Sequence, residues 1–202
     1  MFNYLKKKYI KFQGSRRIFK INYLKEKYFK DKKLGNIGFD FSSKPSRQHI
    51  VQKIIDIKNY KSYLEIGTAY DELFNEINCD LKIGVDPVSG GTIRKTSDQF
   101  FKENVQKFDC IFIDGLHYYS QVKKDIENSI KFLNPNGIIF LHDCLPNNHY
   151  EQAVPRCQAI WNGDVWKAIV ECRTKEDIDT YVQDIRYVGV NNVGLSESTL
   201  PK

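Results

Sequence analysis

The chain has 202 residues, 41% of them hydrophobic and 13% aromatic, which excludes intrinsic disorder and suits one domain with its own core. Its net charge of +6 is uneven: residues 1–33 hold twelve Lys or Arg against Glu26 and Asp31, while the remainder has more acids than bases. That acidic body speaks against a nucleic-acid partner, and no apolar run is long enough to span a bilayer. The opening "MFNYLKKKYIKFQGSRRIFK" has no uninterrupted apolar stretch and no small-residue cleavage site, so it does not read as a secretory signal. The five cysteines, Cys79, Cys110, Cys144, Cys157 and Cys172, show no zinc-knuckle or redox spacing, and reduced thiols in a cytoplasmic protein are the expectation.

Residues 1–44 read as a basic, aromatic helical arm over 1–33, broken near Gly14-Ser15, and a turn-rich connector with Gly35 and Gly38. Such an arm packs its aromatic face on the domain or on a second copy in a homodimer, or lays its charge on an anionic membrane surface. It carries no nucleic-acid reader motif. The domain proper is expected over 45–202. "SRQHIVQKIIDIKNY" gives a helical stripe of Ile50, Val51, Ile54, Ile55 and Ile57, with Ser46 as N-cap. From Lys61 strands and helices alternate: strand 62–67, helix 69–77, strand 81–86, and a turn with a short third strand in "GGTIRKTSD". A helix capped by Ser97 or Asp98 comes next. Strand 108–114, helix "SQVKKDIENSIKFL", a stop at "NPNG" and strand 137–143 complete the run. The tail reads as a helix in "DVWKAIVECR", capped by Asp164, and two strands in "DTYVQDIR" and "YVGVNNVG". The pattern predicts an α/β Rossmann-like three-layer sandwich, its seven-stranded sheet mainly parallel with an antiparallel edge hairpin, preceded by the N-terminal helical arm.

Parallel strands discharge their carboxyl ends on one edge, where ligands bind. Gly67 ends the first strand in "YLEIGTAYDELF", and Asp86, twenty-one residues after Glu65, ends the second, where an acid can accept ribose hydroxyls. The full glycine pattern G-x-G-x-x-G is absent, and an ordinary strand-to-helix turn is the bland alternative. Two further strands end in groups able to ligate metals or move protons: Asp114 and His117 after one, His142 and Asp143 after the other. Capping of the following helices is the competing account of both aspartates. Trp161 and Trp166 in "WNGDVWKA" either stack on a sugar face or pack inside, and "CLPNNHYEQAVPRCQ", with His149 and Arg156, reads as a lid or substrate wall.

"YLEIGTAYDELF", "KIGVDP", "TSDQFF" and "FDCIFIDGLHYYSQVKKDIENSIKFLNPNGIIFLHDC" together resemble the class I S-adenosylmethionine-dependent methyltransferases. The likeness runs over residues 45–193 and is strongest to a small bacterial branch with "DG-x-H-x-Y" and "HD" motifs, related to sugar O-methyltransferases. The resemblance implies that Glu65, Gly67, Thr68 and Ala69 line the methionine and ribose parts of S-adenosylmethionine, with Asp114 beside them. Asp86 is expected to hold the ribose diol, and Ser97 and Asp98 to lie near the adenine. It implies a divalent cation, Mg²⁺ or Mn²⁺, on Asp114, His142 and Asp143; His142 stands where relatives have an acid, so either it ligates a metal such as Mn²⁺ or it hydrogen-bonds substrate. His117, three residues past Asp114 and with an ordinary imidazole pKa suited to neutrality, is the candidate base, with Asp114 also serving catalysis; capping or packing at the helix entry is the bland alternative for His117. Asp71 departs from the family, which often has glycine there; its charge is unfavourable beside the cofactor's own carboxylate unless it turns away or helps cap the helix. The implied activity is O-methylation of a sugar or glycan hydroxyl, as in surface-polysaccharide or natural-product biosynthesis. Its rivals are N-methylation of an amino sugar or small amine, and a non-catalytic binding module on the same scaffold.

Overall fold

The structure, a computed structural model, describes residues 20–27, 38, 43–176, 178–182 and 188–192. Most of the expected N-terminal arm, including its break near Gly14, lies outside the described residues, as does the link 183–187. The chain divides into two compact units, Met1–Phe39 with Pro146–Gly163, and Asp40–Leu145 with Asp164–Lys202. In the first, residues 20–27 are helical (α1) and Leu24 is buried with Ala153 and Cys157. Lys25 lies over the Tyr150 ring at 4.4 Å, and the Trp161 indole N–H donates to the Ala153 carbonyl at 2.7 Å. The segment expected as a lid is therefore folded together with α1.

The second unit begins at Ser46, whose hydroxyl accepts from the His49 backbone N–H and caps α2 (Arg47–Lys58). Then follow β1 (Ser62–Ile66), α3 (Glu72–Glu76), β2 (Leu81–Val85), α4 (Ser97–Glu103), β3 (Phe108–Ile113), α5 (Tyr119–Lys131), β4 (Leu133–Leu141), α6 (Trp166–Cys172), β5 (Ile178–Val182) and β6 (Val188–Asn192). The sheet order is β2-β1-β3-β4-β6-β5; β2, β1, β3 and β4 run parallel, while β6 pairs antiparallel with both β4 and β5. Alternation along the strands feeds two apolar layers. Leu64, Ile66, Ile111, Ile113, Ile139 and Leu141 pack with Phe100 and Phe101 of α4, Val122 and Ile126 of α5 and Ile169 of α6. Tyr63, Cys110, Phe112 and Phe140 face Val51 and Ile55 of α2 and Leu73 and Phe74 of α3. No described helix is long and apolar enough to cross a membrane.

Several expectations are corrected. Among the described residues the sheet has six strands and not seven: the short strand foreseen near Gly90–Ser97 is reduced to one bridge between Val85 and Ile93. Helix α3 starts at Glu72 and not at 69, because Ala69 and Asp71 take left-handed backbone conformations. The cap of α4 is Thr96, in a reciprocal capping box with Gln99, and not Ser97 or Asp98. "NPNG" lies inside β4 as an irregularity that shifts the register against β3. Asp164 does not cap its own helix; its carboxylate accepts from the Tyr119 backbone N–H at 2.6 Å and so closes the start of α5.

Candidate active site

Four parallel strands end on one edge, and their last residues and following turns build the site. At the end of β1, Gly67 has φ +86°, and a Cβ there would meet the Asp114 carbonyl oxygen at 2.2 Å, so only glycine fits. The next turn is bound to the loop after β2. The Ala69 N–H donates to Asp86 Oδ2 (3.1 Å), the Ser89 hydroxyl to the Ala69 carbonyl (2.8 Å) and the Gly91 N–H to Asp71 Oδ1 (2.6 Å). Asp71 thus turns its charge away into the neighbouring loop. Thr68 is buried in this seam.

Asp86 is nearly buried. Its Oδ1 accepts from the N–H groups of Val88 (2.7 Å) and Ser89 (2.9 Å), and Arg94 stands 3.9 Å away. Burial alone would raise its carboxyl pKa, but the N–H groups of Ser89, Val88 and Ala69, with Arg94, outweigh it and hold the group below its usual value. It is a fixed carboxylate at the mouth of β2. Glu65 behaves oppositely. Paired with Phe112 in the apolar layer on the α2–α3 face, it is 2% exposed and accepts from the Tyr63 hydroxyl at 2.6 Å. Burial raises its pKa to about 7, against the lowering effect of the Tyr63 bond; Asp114 pushes up and Arg47 down.

Beyond β3 and β4 lies a cluster of two carboxylates and two imidazoles. His142 Nδ1 is 2.9 Å from Asp114 Oδ1 and 3.5 Å from Asp143 Oδ2. His117 places Nε2 3.2 Å from Asp114 Oδ1 and Nδ1 3.4 Å from Asp143 Oδ2. Burial would raise the Asp114 carboxyl, but His142 and His117 overcome it and bring the pKa down to about 2. One ligand atom from each of Asp114, His117 and Asp143 can be taken so that all lie within 4.8 Å of one another. The trio whose donor atoms are spaced closely enough for one cation thus contains His117, while His142 stands against both aspartates.

Ser97 and Asp98 lie away from this cluster, at the start of α4, where the Gln121 side-chain amide of α5 donates to Ser97 Oγ (3.2 Å) and Asp98 Oδ1 (3.0 Å). The same amide reaches Asp125 Oδ1 at 3.0 Å. Asp125 is 1% exposed, and burial raises its pKa to about 6. Sequence reasoning missed Asp125, Gln121 and, above all, Arg47. From the first turn of α2, Arg47 sends one guanidinium nitrogen to Asp114 Oδ2 (3.3 Å) and the other to Glu72 Oε2 (3.2 Å). A lone arginine after an N-cap carries no recognisable pattern; only the sheet edge reveals its neighbours. Trp166 buries its indole N–H without a hydrogen-bond partner, and Trp161 is tied within the other unit.

Residues 45–144 match a family model described as a methyltransferase domain. Among solved structures the chain is similar to a putative O-methyltransferase from Klebsiella pneumoniae (TM-score 0.55, 13% identity, covering 76% of this chain and 83% of that one). It is also similar to the O-methyltransferase from Bacillus cereus in complex with SAH (TM-score 0.53, 12% identity, 88% and 91% covered). A third is MycE methyltransferase from the mycinamycin biosynthetic pathway in complex with Mg and SAH (TM-score 0.51, 15% identity, 75% and 52% covered). No curated protein matches. At these identities the solved structures speak for the fold. The matched segment, with the parallel sheet whose strand ends carry Gly67, Asp86, Asp114 and His142, identifies residues 45–144 as a methyltransferase domain.

Proposed function

We propose that the protein transfers the methyl group of S-adenosylmethionine to a hydroxyl of a sugar or glycan. The observation that carries this reading is the convergence of Asp114, His117, His142 and Asp143 beyond β3 and β4, next to the turn at Gly67. In this reading Glu65, Gly67, Thr68, Ala69 and Asp114 hold the methionine and ribose parts, Asp86 the ribose diol, and Ser97 and Asp98 the adenine side. MycE, complexed with Mg and SAH, is a fold relative from natural-product biosynthesis and supports the branch.

The sulfonium supplies its own leaving group, so the protein has to align the acceptor and take its proton as the methyl carbon–oxygen bond forms. With a carboxylate facing each ring nitrogen, His117 satisfies both only as imidazolium. In the neutral ring an N–H at Nδ1 stays on Asp143, and Nε2 accepts the proton of a hydroxyl that displaces Asp114 Oδ1 from its 3.2 Å contact. Asp114, ionised at neutral pH, then stabilises the imidazolium formed.

The donor atoms fit a divalent cation in number and spacing, and two carboxylates with one imidazole suit Mn²⁺ better than oxygen-seeking Mg²⁺. Bound there, a cation would lower the pKa of a coordinated hydroxyl. Held by Asp114, His142 and Asp143 it leaves His117 as base; held by Asp114, His117 and Asp143 it removes that role. The test is methyl transfer from labelled S-adenosylmethionine to a panel of sugar acceptors, with and without chelator. Asp114→Asn should cut turnover by roughly 10²-fold or more. His117→Ala should do the same if His117 is the base. Wild-type rates in both variants would falsify the site, and chelator-insensitive transfer to an amine would favour N-methylation.

A further inference from the structure

We infer that Arg47 is the binding group for the carboxylate of the cofactor's amino-acid arm, with Glu72 as its partner until that carboxylate arrives. The inference rests on the proposal that this edge binds S-adenosylmethionine. The arm ends in an ammonium and a carboxylate, and each needs an opposite charge. Asp114 at the end of β3, and Glu65 on β1 whenever it is ionised, make this edge acidic, which serves the ammonium and the sulfonium but repels the carboxylate. In many α/β folds the helix after the first strand receives an anion at its N-terminus. Here that helix has five residues and begins with Glu72 directly after Asp71, so its start is acidic. Arg47 supplies the missing positive charge from another element. It spans from Asp114 Oδ2 at 3.3 Å to Glu72 Oε2 at 3.2 Å, and its field also reaches Glu65.

Neither existing contact ties the guanidinium down. Glu72 is 71% exposed, and an ion pair with so exposed a partner contributes little. Asp114 already has two imidazoles at its other oxygen. The Arg47 side chain is 20% exposed, open enough to be reached yet sheltered, and its guanidinium fork matches a carboxylate in two parallel hydrogen bonds. Arrival of the ligand replaces a solvated surface carboxylate by a less solvated one.

The experiment compares binding of S-adenosylmethionine and of its decarboxylated analogue by calorimetry, in the wild type and in Arg47→Ala, Arg47→Lys and Glu72→Gln, each checked for folding by circular dichroism. Arg47→Ala should weaken S-adenosylmethionine by roughly 10- to 100-fold and leave the decarboxylated compound nearly unchanged. Arg47→Lys should recover part of the loss, and Glu72→Gln should bind S-adenosylmethionine at least as tightly as the wild type. Equal weakening of both compounds in folded Arg47→Ala, or weakening by Glu72→Gln, overturns the assignment. If the wild type binds neither compound at millimolar concentration, the cofactor reading itself fails and this inference falls with it.

Discussion

Glu65 is an acid placed where its charge is disfavoured. Its position at the end of the first strand was legible in the sequence, but its protonation was not, because that arises from Phe112, Tyr63 and the helices α2 and α3, all brought around it by the fold. With a folded pKa near 7 against a reference of 4.5, the folded protein keeps a proton that the unfolded chain releases. Stability is therefore unaffected by this group below about pH 4.5 and falls as pH rises from there to about 7. Glu65→Gln removes the dependence: the unfolding free energy of the variant relative to wild type should rise by roughly 2–4 kcal/mol between pH 4.5 and pH 8, read from urea melts across that range. A difference that stays flat over this window would show that Glu65 is ionised in the folded protein. Asp71 teaches a related lesson. Sequence alone left its charge in conflict with a neighbouring anion, and the structure resolves this by giving Oδ1 the N–H of Gly91, a partner from a loop twenty residues away. The paired glycines 90 and 91 were the available sign that backbones meet there.

The elements are held from the edge opposite the site. Asp109, in β3, accepts from the backbone N–H groups of Lys61 (2.8 Å) and Ser62 (3.0 Å), from the Ser62 hydroxyl (2.9 Å) and from the Asn134 amide (2.7 Å). One carboxylate thereby links the starts of β1, β3 and β4. Burial would raise its pKa, but these donors lower it, so its contribution is present above the usual carboxylate range and is lost as the pH falls below it. Asp109→Ala should cost about 2–4 kcal/mol in denaturant unfolding and leave turnover per folded molecule within about twofold, since the site lies at the other ends of the same strands. A collapse of turnover with stability intact would mean that the clasp reaches into the chemistry. At this scale periodicity located the main strands and helices of the sheet unit. It failed where the deciding contact is remote or local geometry intervenes: the left-handed residues before α3, the Thr96 box, and Asp164 capping a helix forty-five residues away.

At the scale of the molecule, alternation of strand and helix was enough to read a parallel sheet with helices on both faces. It could not show that residues 20–27 and 146–163 fold into one unit, because their shared core of Leu24, Ala153 and Cys157 joins segments more than a hundred residues apart. If the sheet unit is the cofactor-binding body, S-adenosylhomocysteine at about a hundred times its dissociation constant should stabilise it by ~2.7 kcal/mol and raise its melting temperature in calorimetry. No rise at millimolar ligand would leave only the scaffold reading. The contact between Gly67 and the Asp114 carbonyl also bears on how such a protein diversifies. Where two main chains touch, no side chain can be inserted and neither turn can shift alone. Descendants of this sequence that accept new molecules must therefore vary what surrounds the seam, and the close approach of the β1 and β3 turns is inherited unchanged.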